Sequence, residues 1–513
     1  MVTGLSRKMR VQESPLQATH ESEKCDHQGD DQGQVQRQGT DRKSTDQKGR
    51  NQGTVSASNV SASELEKMDV DSVWHALAQH KPFAQKPPKC MQQASGCYVT
   101  DAKGVNYFDG VSGLWCVNVG YGRQEMADVA YAQLLNLAYS PLTMSHEPGI
   151  RLAHKLLDLL GYEGKVFFST SGSEANETAF KIARQYQAQT AVAGSGSRYK
   201  IISRYRGYHG TTMGALSATA QADRKLKFGP LVPGFLHVNP PYYYRFGEGR
   251  TEADYNAACL RELEQTILYE GADSVAAVIV EPVISGGGVI PPTEGYLRGV
   301  REICDRTGIL LIFDEVVNGF GRTGRMFGHQ HWDVEPDIIC FAKGLTSGYM
   351  PLSATVVKQH IFEAFLDEPG TSSHFSHIST YGGTPAATAV ALRNIEIIER
   401  EQLADRAAEM GEYLMARWQG LLAHPNVGDV RGKGLLIGIE LVKDKTTKAP
   451  LEGDLVAAVN KYCLEQQVMI GRNANTIPGF TNVLIVCPPL VITHEEADRL
   501  ADTVQAAIFA LPQ

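Results

Sequence analysis

The sequence predicts an α/β protein, with a large domain on a mostly parallel sheet over residues 126–384 and a smaller α+β domain made from residues 63–125 and 385–513. Three observations carry this. Short apolar runs of strand length alternate with helical patterns after about residue 125. Residues suited to chemistry, Glu281, Asp314 and Lys343, follow the ends of those runs, which is where ligands bind in sheets of this kind. Near residue 385 the texture changes to a long helical stretch, then strands, then a last helix.

In chain order, residues 1–62 are rich in Gln, Asp, Gly, Ser, Thr and Lys and nearly free of aromatics. Such a segment buries too little apolar surface to offset its ordering entropy, so a disordered polar extension without catalytic role is expected. Order is expected from about Ser63, with short helices at 64–67 and 72–75 and a hairpin of residues 97–101 and 105–109 around Ala102-Lys103-Gly104. Residues 166–168 form a strand candidate, followed by a turn and a helix with Ala175, Ala179, Ile182 and Tyr186 at helical spacing. Further strands are expected at 200–203, 275–280, 309–313 and 338–341. Apolar strands separated by helices imply a sheet covered on both faces. The last third predicts one long helix through residues 390–421, strands at 435–440 and 483–486, and a C-terminal helix.

Composition narrows the partners. The chain has 513 residues, 42% hydrophobic and 21% charged, with a net charge of −8, which argues against nucleic acid as a main partner. Nine cysteines, an odd number without CxxC spacing, fit a reducing compartment, so a cytoplasmic location is expected. No apolar run reaches membrane-spanning length, and Arg7, Lys8 and Arg10 are followed by no apolar stretch of a secretory signal.

The chemistry centres on two runs. Residues 309–313 end in Asp314-Glu315, and residues 338–341 are followed by Ala342-Lys343-Gly344. A lysine in a partly dry pocket can lose its proton and form an imine, and an aspartate suits a protonated ring nitrogen; together they fit pyridoxal phosphate. A surface lysine and a helix-capping aspartate are the plainer alternative. Ser169-Thr170-Ser171-Gly172-Ser173-Glu174 lies between a strand and a helix, where backbone N–H groups make an anion site or simply a capped helix. It lacks the Gly-Lys-Ser/Thr ending of a P-loop. Tyr208 between glycines offers a ring for stacking, Glu281 precedes the permissive Gly286-Gly287-Gly288, Trp115 walls a pocket or fills a core, and Arg472 holds a carboxylate or a surface salt bridge. His146, His209, His374 and His377 form no metal-ligand pattern, so no catalytic metal is expected, and no GxSxG elbow points to a hydrolase.

The order of Ser171-Gly172-Ser173-Glu174-Ala175-Asn176, Gly207-Tyr208-His209-Gly210, Asp314-Glu315-Val316, Ala342-Lys343-Gly344 and Thr380-Tyr381-Gly382-Gly383 resembles that of class III pyridoxal-phosphate aminotransferases, from about residue 70 to the end. The resemblance implies the aspartate aminotransferase-type fold (fold type I) and a homodimer, or a tetramer, with active sites at the subunit interface. It implies that Lys343 carries the cofactor, Asp314 pairs with the ring nitrogen, Val316 and Tyr208 pack on the two ring faces, Gly172 and Ser173 bind the phosphate, Glu281 supports the site, and Thr380 reaches the phosphate of the neighbouring subunit. The 4-aminobutyrate and ornithine branch carries Gln-Gly-Glu-Gly-Gly after Glu-Pro-Val; here Gly286 stands at the glutamate position. Residues 113–123 instead resemble omega-amino acid:pyruvate and taurine:pyruvate aminotransferases. Arg472 resembles the movable arginine that accepts a keto-acid carboxylate, with Trp115 and Tyr208 lining the amine pocket. The expected activity is transfer of an amino group from an omega-amino acid or amine, such as taurine or β-alanine, to pyruvate. An aminomutase acting on an amino aldehyde and a non-catalytic relative are the alternatives.

Overall fold

The computed structural model describes residues 60–191, 196–474 and 476–512. Most of the expected polar extension, residues 1–59, lies outside the described residues.

A seven-stranded sheet organises the fold, in the order Gly164–Ser169, Ser353–Lys358, Ile338–Phe341, Leu310–Asp314, Val275–Val280, Lys200–Arg204, Phe235–Val238. The last five run parallel to one another. Ser353–Lys358 is antiparallel to both of its partners. Every residue of Val275–Val280, Leu310–Asp314 and Ile338–Phe341 is buried, as near-continuous apolar runs require when helices cover both faces. Asp314 is the final residue of its strand and lies opposite Cys340. Val280 and Phe341 end their strands just before Glu281 and Ala342-Lys343. The parallel register therefore brings three sequence-distant groups to one edge.

Two further sheets lie outside this one. Met91–Ser95, Tyr98–Asp101 and Asn106–Asp109 form an antiparallel meander whose third strand pairs in parallel with Val468–Met469. Val427–Lys433, Leu436–Asp444, Val483–Val486 and Gly471–Arg472 form an antiparallel set. No helix among the described residues is long and apolar enough to cross a membrane.

Two sequence expectations are corrected. Residues 64–67 belong to one helix, Ala62–Ser72, opened by a capping box between Ser61 and Glu64. Residues 72–75 form no second helix, because Val73 is already extended. The stretch 390–421 is not continuous either. It divides into Pro385–Arg400 and Leu403–Trp418, broken where Gln402 takes a φ of 50°. The break is tertiary in origin. Arg123 holds the Glu401 carboxylate through two bonds of 2.9 and 2.7 Å, and Leu403 is buried. The sequence also left Met91–Ser95, Phe235–Val238 and Ser353–Lys358 without a strand reading.

Gly411 lies inside Leu403–Trp418, where a Cβ would overlap the Gly434 carbonyl. Gly411→Ala is expected to cost about 1–3 kcal/mol through this overlap, despite alanine's better helix propensity. A lower apparent Tm, with no change for Gly420→Ala, where a Cβ meets nothing within 4 Å, is the measurement that checks it.

Candidate active site

A cleft of about 460 Å³ opens at the carboxyl ends of the parallel strands. Trp115, Gly172, Ser173, Asn176, Tyr208, His209, Glu281, Gly286, Asp314, Val316 and Lys343 line it. Of the ten candidate residues, eight meet here. Thr380 and Arg472 do not.

Asp314 is 3% exposed. Its Oδ2 accepts from His209 Nδ1 at 2.8 Å and Asn176 Nδ2 at 2.8 Å, and its Oδ1 accepts from the Val316 N–H at 3.1 Å. A carboxylate only accepts, and these three donors satisfy it. The Asn176 amide is fixed in turn by the His209 carbonyl at 2.7 Å, and the His209 N–H by Thr219 Oγ1 at 2.8 Å. Sequence reasoning quoted Asn176 and His209 within motifs but gave them no role. The available signal was the need of a buried carboxylate for donors.

Lys343 follows Ile338–Phe341 at a φ of 40°. Enclosure holds its ammonium below the ordinary lysine range, while the Asp314 charge opposes that shift. It makes no ion pair within 4 Å among the described residues. Trp115, Arg206 and Val289 also take positive φ, at 59°, 69° and 49°. Such backbone strain persists where surrounding structure over-determines it, commonly at functional sites.

The helix Gly172–Thr190 points its N-terminus into the cleft. Ser171 and Glu174 close a capping box, so the Glu174 N–H is satisfied, while the Gly172 and Ser173 N–H groups take no partner among the described residues. Small residues are required here: a Cβ at Gly210 would overlap Ser173 Oγ, and one at Gly172 would lie 3.0 Å from Val316. Ser173 Oγ accepts from the Thr211 N–H at 3.1 Å.

Glu281 joins two turns of the cleft wall. Its oxygens accept from the Tyr208 N–H at 3.1 Å and the Ser285 N–H at 2.9 Å. Burial pushes its carboxyl above the usual range. The Tyr208 ring carries the Arg224 guanidinium, 4.8 Å from its centre. Gly286 lies against the Trp115 indole, 3.3 Å from where a Cβ would sit. The indole thus occupies the space in which a side chain at position 286 would begin.

Arg472 is exposed, with Nη1 3.5 Å from the Gly453 carbonyl. Thr380 is exposed, and its carbonyl accepts from Tyr139 Oη at 3.0 Å.

These residues fit pyridoxal phosphate. A helix N-terminus with unused N–H groups suits a phosphate, a buried carboxylate with its own donors suits a protonated ring nitrogen, and an enclosed lysine without a counterion suits an aldehyde.

Comparison with known proteins agrees with this chemistry. A model of the Aminotransferase class-III family matches residues 81–508. An uncharacterised aminotransferase of Bacillus subtilis is 51% identical, over 86% of this chain and 96% of its own. A taurine–pyruvate aminotransferase of Bilophila wadsworthia is 42% identical, over 88% of this chain and 98% of its own. The structure of an (S)-enantioselective omega-transaminase from Thermomicrobium roseum superposes with a TM-score of 0.83 at 39% identity, covering 88% of this chain and 99% of that one.

Proposed function

The chain belongs to the class III aminotransferases, pyridoxal-phosphate enzymes, and from that premise we propose that it transfers the amino group of an omega-amino acid or primary amine to pyruvate. Taurine and β-alanine are the leading donors; the products are an aldehyde or oxo acid and alanine. The observation that carries this reading is an enclosed, unpaired Lys343 sharing one cleft with Asp314, itself held by His209 and Asn176. The taurine–pyruvate aminotransferase at 42% identity supports pyruvate as acceptor.

Bound pyridoxal phosphate supplies an aldehyde that captures amines and a ring that accepts electrons. In this reading the Gly172 and Ser173 N–H groups would hold the phosphate, Asp314 would pair with the ring nitrogen, and Val316 and Tyr208 would flank the ring. Lys343 Nζ anchors the cofactor. When free, the same nitrogen would take, hold and return the proton at the substrate carbon. Its lowered basicity keeps the free amine accessible for that transfer. Glu281 fixes Tyr208, and Trp115 with Tyr208 encloses the amine.

Arg472 takes the keto-acid carboxylate. No carboxylate pairs with it within 4 Å among the described residues, and its one long contact to Gly453 leaves it able to swing. Arg472→Ala is expected to lower kcat/KM for pyruvate by about tenfold or more, as loss of a charge-assisted bond implies, and to spare an uncharged amine's half reaction. Equal loss in both would remove this role.

The working form is a cytoplasmic homodimer in which Thr380 reaches the partner's phosphate. Exposed apolar side chains, Leu135, Tyr139, Ile378 and Tyr381, lie in the two segments that meet at Thr380. Two measurements test the reading. Borohydride reduction and peptide mapping must place the pyridoxyl tag on Lys343. A donor screen with pyruvate must release alanine in step with pyruvate consumed; rearrangement without pyruvate would mark an aminomutase instead.

A further inference from the structure

A second lysine, outside the cleft, is held without an anionic partner among the described residues. Lys225 ends the short helix Ala222–Lys225 and is half-buried. Its Nζ donates to the Ser217 carbonyl at 3.1 Å and lies 2.8 Å from His237 Nε2. The far side of the imidazole settles its tautomer. Ser203 Oγ donates its single hydrogen to the Ala218 carbonyl at 2.7 Å, so towards His237 Nδ1, 2.8 Å away, it accepts. Nδ1 therefore carries the ring proton, and Nε2 turns its lone pair to Lys225. Burial pushes the imidazole down to about 4, so it stays neutral in ordinary buffers.

Lys225 consequently meets two neutral acceptors. The titratable groups around it are His237 from the sheet, Tyr205 beside that imidazole just past the strand Lys200–Arg204, with His209 acting on His237, and Asp223, Arg224 and Lys227 from its own segment. None is an anion paired with its amine. Arg224 lies over the Tyr208 ring, and Asp223 makes no ion pair within 4 Å among the described residues. A neutral amine satisfies Ser217 and His237 with two N–H bonds and keeps its lone pair free. An ammonium adds a third N–H and a desolvated charge with nothing opposite it.

We propose that Lys225 is an acylation site, a nucleophilic amine that accepts an acyl group from an activated donor such as an acyl phosphate or an anhydride. The Nζ lone pair attacks the carbonyl carbon and an N–C bond forms. The C–O bond to the phosphate or carboxylate breaks, and the displaced amine proton leaves with that group. The acylated nitrogen retains one N–H, so only one of Ser217 and His237 keeps its partner.

Competitive labelling of the intact holoenzyme tests this. Trace acetic anhydride is applied from about pH 6 to about pH 10, and each lysine is followed by peptide mass spectrometry. Lys103 and Lys443 are the references, because Glu66 and Glu452 hold their ammonium groups above the ordinary range. On free-amine fraction alone, an amine titrating at about 8 outruns an ordinary lysine roughly two-hundredfold at neutral pH. Half-burial and lower basicity reduce that advantage, so a rate about tenfold above both references is expected, rising to half its maximum near pH 8. Lys225→Arg keeps the charge and must abolish the signal, which assigns it. A Lys225 labelled no faster than the references, or only in the ordinary lysine range above about pH 10, overturns the proposal.

Discussion

Lys343→Ala is expected to lower transamination by about 10⁴-fold, the upper range for loss of a positioned acid–base group. Alanine at 343 removes both the covalent anchor and the nitrogen that carries the proton. The fold has little reason to suffer. Lys343 is an enclosed cation without an ion pair within 4 Å among the described residues, so its removal relieves a desolvation penalty. Alanine tolerates the φ of 40° no worse than lysine does. The apparent Tm is therefore expected to hold or rise while activity disappears, which separates lost chemistry from lost structure. Cofactor should still bind without a covalent bond, through the N-terminus of Gly172–Thr190 and Asp314. Equilibrium dialysis would measure that retained binding. Transamination persisting within tenfold of the parent enzyme would contradict the role given to this lysine.

The second large effect is expected at Asp314. His209 Nδ1 and Asn176 Nδ2 both donate to Asp314 Oδ2. In Asp314→Asn, an amide nitrogen must face either these donors or the Val316 N–H, so at least one donor loses its acceptor whichever way the amide lies. The negative charge that would stabilise a protonated ring nitrogen disappears as well. Breaking a buried charge pair costs about 3–5 kcal/mol, roughly two to four orders of magnitude in kcat/KM. Both half reactions should fall together, because ring electronics serve both, in contrast to the one-sided loss expected for Arg472→Ala. A variant with unchanged cofactor affinity and a rate within a few-fold of the parent would sink the assignment.

Much of the site was readable from local pattern. Residues 309–313 are apolar and end in Asp314, and residues 338–341 are apolar and lead into Lys343. Period and length sufficed to call both runs strands, and the rule for ligand position did the rest. The Ser171-Gly172-Ser173-Glu174 capping pattern likewise announced the helix start that the structure shows. The reading was poorer where local pattern conflicts with, or is silent about, long-range contacts. Nothing between residues 390 and 421 interrupts helical periodicity at Gln402, which is neither Gly nor Pro. The turn there answers to Arg123, 278 positions away from Glu401. Ser353–Lys358 has strand composition but was missed, and its antiparallel direction depends on strands on both sides.

The amino-acid order alone determined the fold class, the lysine and aspartate that line the candidate cleft, the small residues around the helix N-terminus and the family they resemble. These are properties of short windows: periodicity, capping and the residue that follows a strand. Only the folded chain decided that Asn176 and His209, 138 and 105 positions from Asp314, share its carboxylate oxygen, that Trp115 fills the space beside Gly286, and that Arg472 and Thr380 stand outside the cleft. Hydrogen bonds and close approaches of that kind join segments without any common local pattern, so they exist only once the sheet register has been set.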